Sequence, residues 1–254
     1  MVTDAELKTY AEHGYCLVRG LIDPAKMAAV RKRSMDMIDA TPEWGEASFH
    51  WLDPQEAKTK AGKPLYGSAQ SPSRYEDVFK AVAENPALKT AMSKVIGDDV
   101  RLYTDQTGIK HDVVCGKEQG GCSYYHQDSW YWHIDPSQGC NVWIPTDKVG
   151  AEAIGLAIKP GSQKGWALTE HEQYFDDPKI GKVIGDTFTP FKRHRIPRET
   201  IDYSDEIIFE MEPGDALFFS NYTWHRSEPN RSGETKMFYA IAYKLTDEAI
   251  ARQG

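Results

Sequence analysis

The sequence predicts a mainly β fold with flanking helices, and three observations carry that expectation. Helix signals crowd into roughly the first hundred residues. Beyond them the chain is rich in short aromatic and β-branched runs set off by turn signals such as Pro213-Gly214-Asp215. At 254 residues it is near the upper end of one domain, a size that sandwiches and barrels reach. No linker, internal repeat or low-complexity tract divides it. One domain over 1–254 is expected, with a helical buttress over about 1–98 and a strand-rich core over about 99–246.

In chain order, Thr3-Asp4-Ala5-Glu6 has the capping-box pattern and opens a helix through about residue 13. Tyr15-Cys16-Leu17-Val18-Arg19 then reads as a brief strand. Pro24 suits a first helical position, and a helix to about residue 39 offers Met27, Val30, Met35 and Ile38 for a buried stripe. From 41 to 73 the pattern is irregular and polar, with aromatic anchors Trp44, Phe49, Trp51 and Tyr66. A structureless connection of that length is expected to be functional or mobile, which makes it a candidate lid. Helical stretches over about 75–83 and 86–96 lead into the strand-rich half, where 171–205 is the least regular part.

The chemistry concentrates in His126-Gln127-Asp128 and His225. Two imidazoles and one carboxylate are the ligand set that holds a non-haem Fe(II) on one side and leaves the other open. If 126–128 is a strand, its first and third side chains share a face and reach one metal without a bend. His225 lies in the β-prone run Phe218-Phe219-Ser220-Asn221-Tyr222-Thr223-Trp224-His225, so a third ligand would come from another strand. A second copy of the pattern, His133-Ile134-Asp135, precedes Pro136 and reads as a chain leaving for a turn. His133 is therefore either a group near the metal ligands or substrate, or a surface histidine.

Around these residues, five segments occur in order: 124–132, Asn141-Val142-Trp143-Ile144-Pro145, Ile158-Lys159-Pro160-Gly161-Ser162-Gln163, 213–219 and 225–232. Together they resemble the phytanoyl-CoA dioxygenase family of Fe(II)/2-oxoglutarate oxygenases over about 100–245. The resemblance implies a double-stranded β-helix, or cupin-like jelly roll, with iron near one open end. It also implies that 2-oxoglutarate is decarboxylated to succinate and CO2 as O2 is activated, and that the usual outcome is hydroxylation of a small-molecule metabolite. Desaturation, cyclisation or rearrangement on the same fold, and a non-catalytic cupin-like metal-binding protein, stand as alternatives.

The family usually holds the distal carboxylate of 2-oxoglutarate with an arginine on the strand after the second metal histidine, and this chain has Lys236 there. Lysine brings a compact point charge in place of a planar fork. Ser227 or Thr235 could add a hydroxyl, and Arg231, in the turn before the strand, is the rival cation. By the same resemblance Trp143 packs beside the cosubstrate and Lys110 lines the mouth of the site. A core tryptophan and a solvent-facing lysine are their plain alternatives.

Composition narrows the partners. A net charge of −8 and a pI near 5.5 give no electrostatic footprint for nucleic acid or an anionic membrane. Without an apolar signal core or a long apolar stretch, a cytoplasmic enzyme of small molecules is expected. Cys16, Cys115, Cys122 and Cys140 lack C-x-x-C spacing, so reduced thiols are expected. In so acidic a chain, Phe191-Lys192-Arg193-His194-Arg195 suggests docking of an anionic or zwitterionic substrate. The aromatic cluster at 124–132 suggests a wall for a cation or flat ring.

Overall fold

The structure, a computed structural model, describes residues 2–45, 48–114, 123–175 and 178–253. Cys115 and Cys122 lie outside the described residues. In chain order the first third holds α1 (Asp4–His13), β1 (Tyr15–Val18), α2 (Pro24–Asp39), β2 (Phe49–Leu52), β3 (Tyr66–Gln70), α3 (Asp77–Ala83) and α4 (Pro86–Ile96). The middle holds β4 (Val100–Lys110), β5 (Ser123–His126), α5 (Ser129–Trp132), β6 (Gly139–Pro145), β7 (Leu156–Ile158) and β8 (Glu172–Tyr174). There follow β9 (Ile180–Ile184), β10 (Thr187–Pro190), β11 (Arg193–Arg195), β12 (Ile207–Ile208), β13 (Ala216–Ser220), β14 (His225–Ser227), β15 (Lys236–Leu245) and α6 (Asp247–Gln253).

The strands form the two facing sheets of a double-stranded β-helix. The major sheet has nine strands in the order β1-β13-β6-β15-β4-β3-β2-β9-β10, and the minor one has four, β12-β7-β14-β5. All the strand pairs are antiparallel, and β15 is flanked by β4 and β6. Alternation along β15 assigns the faces: Met237, Tyr239, Ile241 and Tyr243 are fully buried in the core that includes Met27, Phe79, Leu88 and Met92 of the helices. Phe238, Ala240 and Ala242 face the other way and line the cavity between the sheets. A second core, with Trp143, Leu156, Ile158, Leu217 and Phe219, closes the space around it.

The local signals explain the helices. Thr3 and Glu6 exchange both capping-box hydrogen bonds, and Gly14 ends α1 in the left-handed region at φ 79°. Pro24 opens α2, but its fully buried stripe is Met27, Val30, Ser34 and Met37, with Met35 and Ile38 packed at the margin. The axis of the stripe is rotated from the expected one because Ser34 turns its hydroxyl onto Val30 O (2.9 Å) and so enters the core without an unpaired polar atom.

Two irregular segments hold more structure than expected. The lid expected at 41–73 contains β2 and β3, which extend the major sheet next to β4. Trp44 stacks on Phe49 and Tyr75, which ties this stretch to the helical layer. Within 171–205, β9 and β10 form a hairpin that pairs with β2. The first 98 residues thus supply three strands of the major sheet as well as four helices.

Candidate metal centre

His126 ends β5, and His225 begins β14, and the two are register partners with ring centroids 4.3 Å apart. Each imidazole is fixed by its own chain. His126 Nδ1 donates to Tyr124 O (2.8 Å) and His225 Nδ1 to Thr223 O (2.9 Å). Both Nε2 atoms are thereby left with lone pairs, and they approach Asp128 Oδ1 at 3.5 Å and Oδ2 at 3.4 Å respectively. One ligand atom from each of the three residues lies within 4.8 Å of the others, the only such three-residue cluster of metal-ligating groups among the described residues. The donor set and the inward-facing lone pairs fit Fe(II).

Asp128 reaches this cluster by a different route from the expected one. The strand stops at His126, and Asp128 has helical backbone angles (φ −65°, ψ −34°) just before α5. The chain therefore bends between the two ligands. Gln127 makes the bend: its buried amide donates to Ala167 O and Tyr222 O, both at 2.9 Å, and accepts from Thr169 N at 2.8 Å. Its backbone N–H donates to His171 Nε2 (3.3 Å), and the His171 ring stacks on Trp130.

Burial pushes the His225 imidazole down to about 4, which keeps it neutral for coordination at ordinary pH. Burial alone would raise the Asp128 carboxyl, but the two imidazoles and the Asn141 amide outweigh it and hold the carboxyl below its ordinary value. Asn141, on β6, donates its amide to Asp128 Oδ2. Nothing in the sequence around Asn141 marked it for this contact.

The cluster opens on a cavity of about 550 Å³, a size typical of small-molecule sites. Trp143, Ser227 and Lys110 line it, as do His126, Asp128 and His225. Trp143 is also a core residue, packed against Phe238 at 5.0 Å between ring centroids. Lys236 lies on the same face of β15 as Phe238 and is the register partner of Lys110, but it is outside the cavity lining, with its ammonium 2.9 Å from the exposed Glu234 carboxylate. Arg231 is set apart, half exposed and 3.6 Å from Glu228. Thr235 is engaged with Asp112. His133 is exposed, adopts the left-handed region at φ 51° after α5, and does not line the cavity. The aromatic run divides: Tyr124 and Tyr125 are buried, while Tyr131 and Trp132 line the cavity.

Behind β14, Arg226 pairs with two carboxylates, Glu206 (Nε to Oε2, 2.6 Å) and Glu228 (2.6 Å), and Tyr125 also donates to Glu206 at 2.6 Å. This ionic knot fixes the strand that carries His225. The acidic partners are far from Arg226 or hidden in unremarkable sequence, so only the fold shows it.

The chain compares as follows with known proteins. The family model for phytanoyl-CoA dioxygenase (PhyH) matches residues 10–238. A 1-deoxypentalenic acid 11-beta-hydroxylase of Streptomyces exfoliatus is 26% identical over 232 residues, covering 88% of this chain and 73% of that protein. A methylphosphonate hydroxylase of Gimesia maris is 22% identical over 257 residues, covering 99% and 84%. Among solved structures, EvdO2 from Micromonospora carbonacea var. aurantiaca superimposes with a TM-score of 0.70 at 17% identity, covering 97% of this chain and 92% of that one. EctD from S. alaskensis, solved with 2-oxoglutarate and 5-hydroxyectoine, gives 0.70 at 13% identity, covering 96% and 76%. These two likenesses agree on the fold. With the family match spanning residues 10–238 and the His126, Asp128 and His225 cluster that fits iron lying within it, the chain belongs to the phytanoyl-CoA dioxygenase family and is an Fe(II)- and 2-oxoglutarate-dependent oxygenase.

Proposed function

We propose that the chain acts as one catalytic domain over 1–254 that hydroxylates an anionic or zwitterionic small molecule in the cytoplasm, with His126, Asp128 and His225 as its metal ligands. The observation that carries this reading is the three-ligand cluster at the wall of a closed-in cavity. Bound iron would supply O2 activation coupled to oxidative decarboxylation of 2-oxoglutarate. The protein's own part is positional. The two backbone-tethered imidazoles and Asp128 occupy one side of the centre and leave the cavity side for cosubstrate and substrate. Phe219, Leu156 and Trp143 wall that side with apolar surface that excludes water.

Lys236 and Lys110 are the candidate anchors for the distal carboxylate of 2-oxoglutarate, with Ser227 as a hydroxyl donor and Trp143 beside it. Their support is shared register at one end of the cavity-facing side of the major sheet. Glu234, bonded to Lys236, is exposed and can release it to solvent-exchange the contact for a ligand carboxylate. Arg231 has the weaker support: neither it nor Lys236 lines the cavity, but Lys236 is the register partner of cavity-lining Lys110, whereas Arg231 is half exposed in the turn before β15, 3.6 Å from Glu228. The acidic character of the substrate is supported by Lys192 and Arg193, which line the cavity, and by the acids and phosphonates in the names of the relatives. No helix among the described residues is long and apolar enough to cross a membrane.

The test has two arms. Iron-loaded protein under air should release succinate from 2-oxoglutarate, faster with the right acid from a panel of acyl thioesters, amino acids, phosphonates and terpenoid acids. Anaerobic titration of 2-oxoglutarate, followed by the metal-to-ligand charge-transfer band, should show Lys236→Ala weakening the cosubstrate by about 10–100-fold, the worth of one charge-assisted contact. Lys236→Arg should restore it only in part, because a planar guanidinium does not fit a space shaped for an ammonium. Unchanged affinity in Lys236→Ala and Lys110→Ala, with a large loss in Arg231→Ala, would move the anchor to Arg231.

A further inference from the structure

On the side of the cavity formed by β2, β3 and β4, the lining is polar: His50, Ser68, Gln70 and Gln106. The register sets His50 opposite Ser68 and Gln70 opposite Gln106. One nitrogen organises the group. Gln70 Nε2 donates its two hydrogens to Ser68 Oγ (2.9 Å) and Gln106 Oε1 (3.1 Å), and shares one of them over a longer 3.5 Å with His50 Nδ1. These contacts engage the acceptor atoms of all three neighbours. What they leave over is three donor groups, the Gln106 amide nitrogen, the His50 Nε2–H and the Ser68 hydroxyl proton, against the one side-chain oxygen of Gln70. Neither Gln106 Nε2 nor His50 Nε2 has a hydrogen-bond partner among the described residues. Burial, reinforced by Arg193, pushes the His50 imidazole down to about 4, so it stays a neutral donor.

A wall that presents these free N–H and O–H donors to the cavity complements a group rich in acceptors. Lys192 and Arg193, which line the same cavity, favour a negatively charged one. Asp105, which also borders the cavity, turns both of its carboxylate oxygens onto Ser73 and Tyr239. Gln106 pairs with Ala240, and Ala240 with Trp143, so two strand spacings, about 10 Å, separate Gln106 from the strand that also carries Asn141. Between them Ala240 and Ala242 keep the floor low.

We propose that His50, Ser68 and Gln106, oriented by Gln70, form an oxyanion subsite for the substrate, distinct from the lysines assigned to the cosubstrate. It takes a carboxylate or phosphonate and lays the apolar body of the substrate across the alanine floor toward the metal. This rests on the oxygenase reading of the same cavity.

The probes are octanoate, octylphosphonate and octan-1-ol, titrated calorimetrically into anaerobic protein loaded with Fe(II) and saturating 2-oxoglutarate, and in parallel into the iron-free protein. At least one anion should bind roughly 10-fold more tightly than the alcohol, and the stronger of the two anions identifies the headgroup class. Gln106→Leu and His50→Leu should each remove most of that preference, and Gln106→Glu, which sets a carboxylate in the wall, should reverse it. The affinity for 2-oxoglutarate, read from the charge-transfer band, should not change in these variants. Equal binding of acid and alcohol by the wild type, or an intact preference in both leucine variants, would overturn the subsite. Absence of the charge-transfer band in the wild type would instead count against the oxygenase reading, with the iron-free titration still reporting on the wall.

Discussion

Asn141 shows how one amide sets the geometry of a metal ligand. It donates to Asp128 Oδ2, the oxygen that also faces His225 Nε2, and so restrains rotation of the carboxylate. Outer contacts of this kind typically contribute 10–100-fold in metal affinity. Asn141→Leu is accordingly expected to weaken Fe(II) binding by about 10–100-fold while the fold persists, measured by competition with a chelator under argon. An unchanged affinity would mean that the bend at Gln127 suffices to aim Asp128. His126→Ala, Asp128→Ala or His225→Ala should abolish turnover, whereas His133→Ala should retain iron, since His133 is exposed and belongs neither to the cluster nor to the cavity lining. The three residues of the candidate cluster were legible in the sequence because their residue types carry the chemistry. Asn141 was not, because its role comes from β6 passing beside the turn after β5, which no local pattern reports. Asp128 joins the cluster by another route than the alternation of a strand, because the chain bends into α5 after His126.

Two elements make the same point about non-local structure. β14 spans three residues, too few to fix a metal ligand by strand pairing alone, and Arg226 in its middle supplies the missing restraint through Glu206 and Glu228. Replacing one side of such a partly buried network strands the other charges, at about 3–5 kcal/mol. Arg226→Met should lower the urea stability of the protein by that order and loosen iron binding through His225; a change below about 1 kcal/mol would mark the network as a solvated surface pair. β3 was missed because Gly67-Ser68-Ala69-Gln70 is small and polar, with little intrinsic strand preference, and β2 because Phe49 and Trp51 sit in an otherwise irregular stretch and were read as isolated anchors. β3 pairs with β4, β2 is held between β3 and β9, and one face is polar where it lines the cavity. Amide exchange without ligands should therefore be slow over 49–52 and 66–70 and faster only over the intervening loop. Uniform fast exchange across 41–73 would restore the lid.

At the scale of the whole molecule, closing two sheets around a cavity buries histidines that do quite different work. Burial pushes His50 on the polar wall, His171 behind the metal ligands and His225 at the centre each down to about 4, and it also lowers His111, which bonds to Tyr66 O at 2.8 Å. In the unfolded chain a histidine titrates near ~6.5. Between about 4 and 6.5 the unfolded chain therefore takes up protons that the folded one refuses. Stability rises with pH across that window, is fully present above it, and is lost as the pH falls through it. Urea unfolding of the chelator-treated protein, with metal competition thus removed, should show a midpoint that declines steadily from pH 6.5 toward pH 4. His171→Gln should flatten part of that decline even though it costs the stack on Trp130, because the variant has one fewer group to protonate on unfolding. A midpoint that stays level across the window would show that these imidazoles are protonated in the fold, and with it the neutral donor assigned to His50 on the cavity wall would fall.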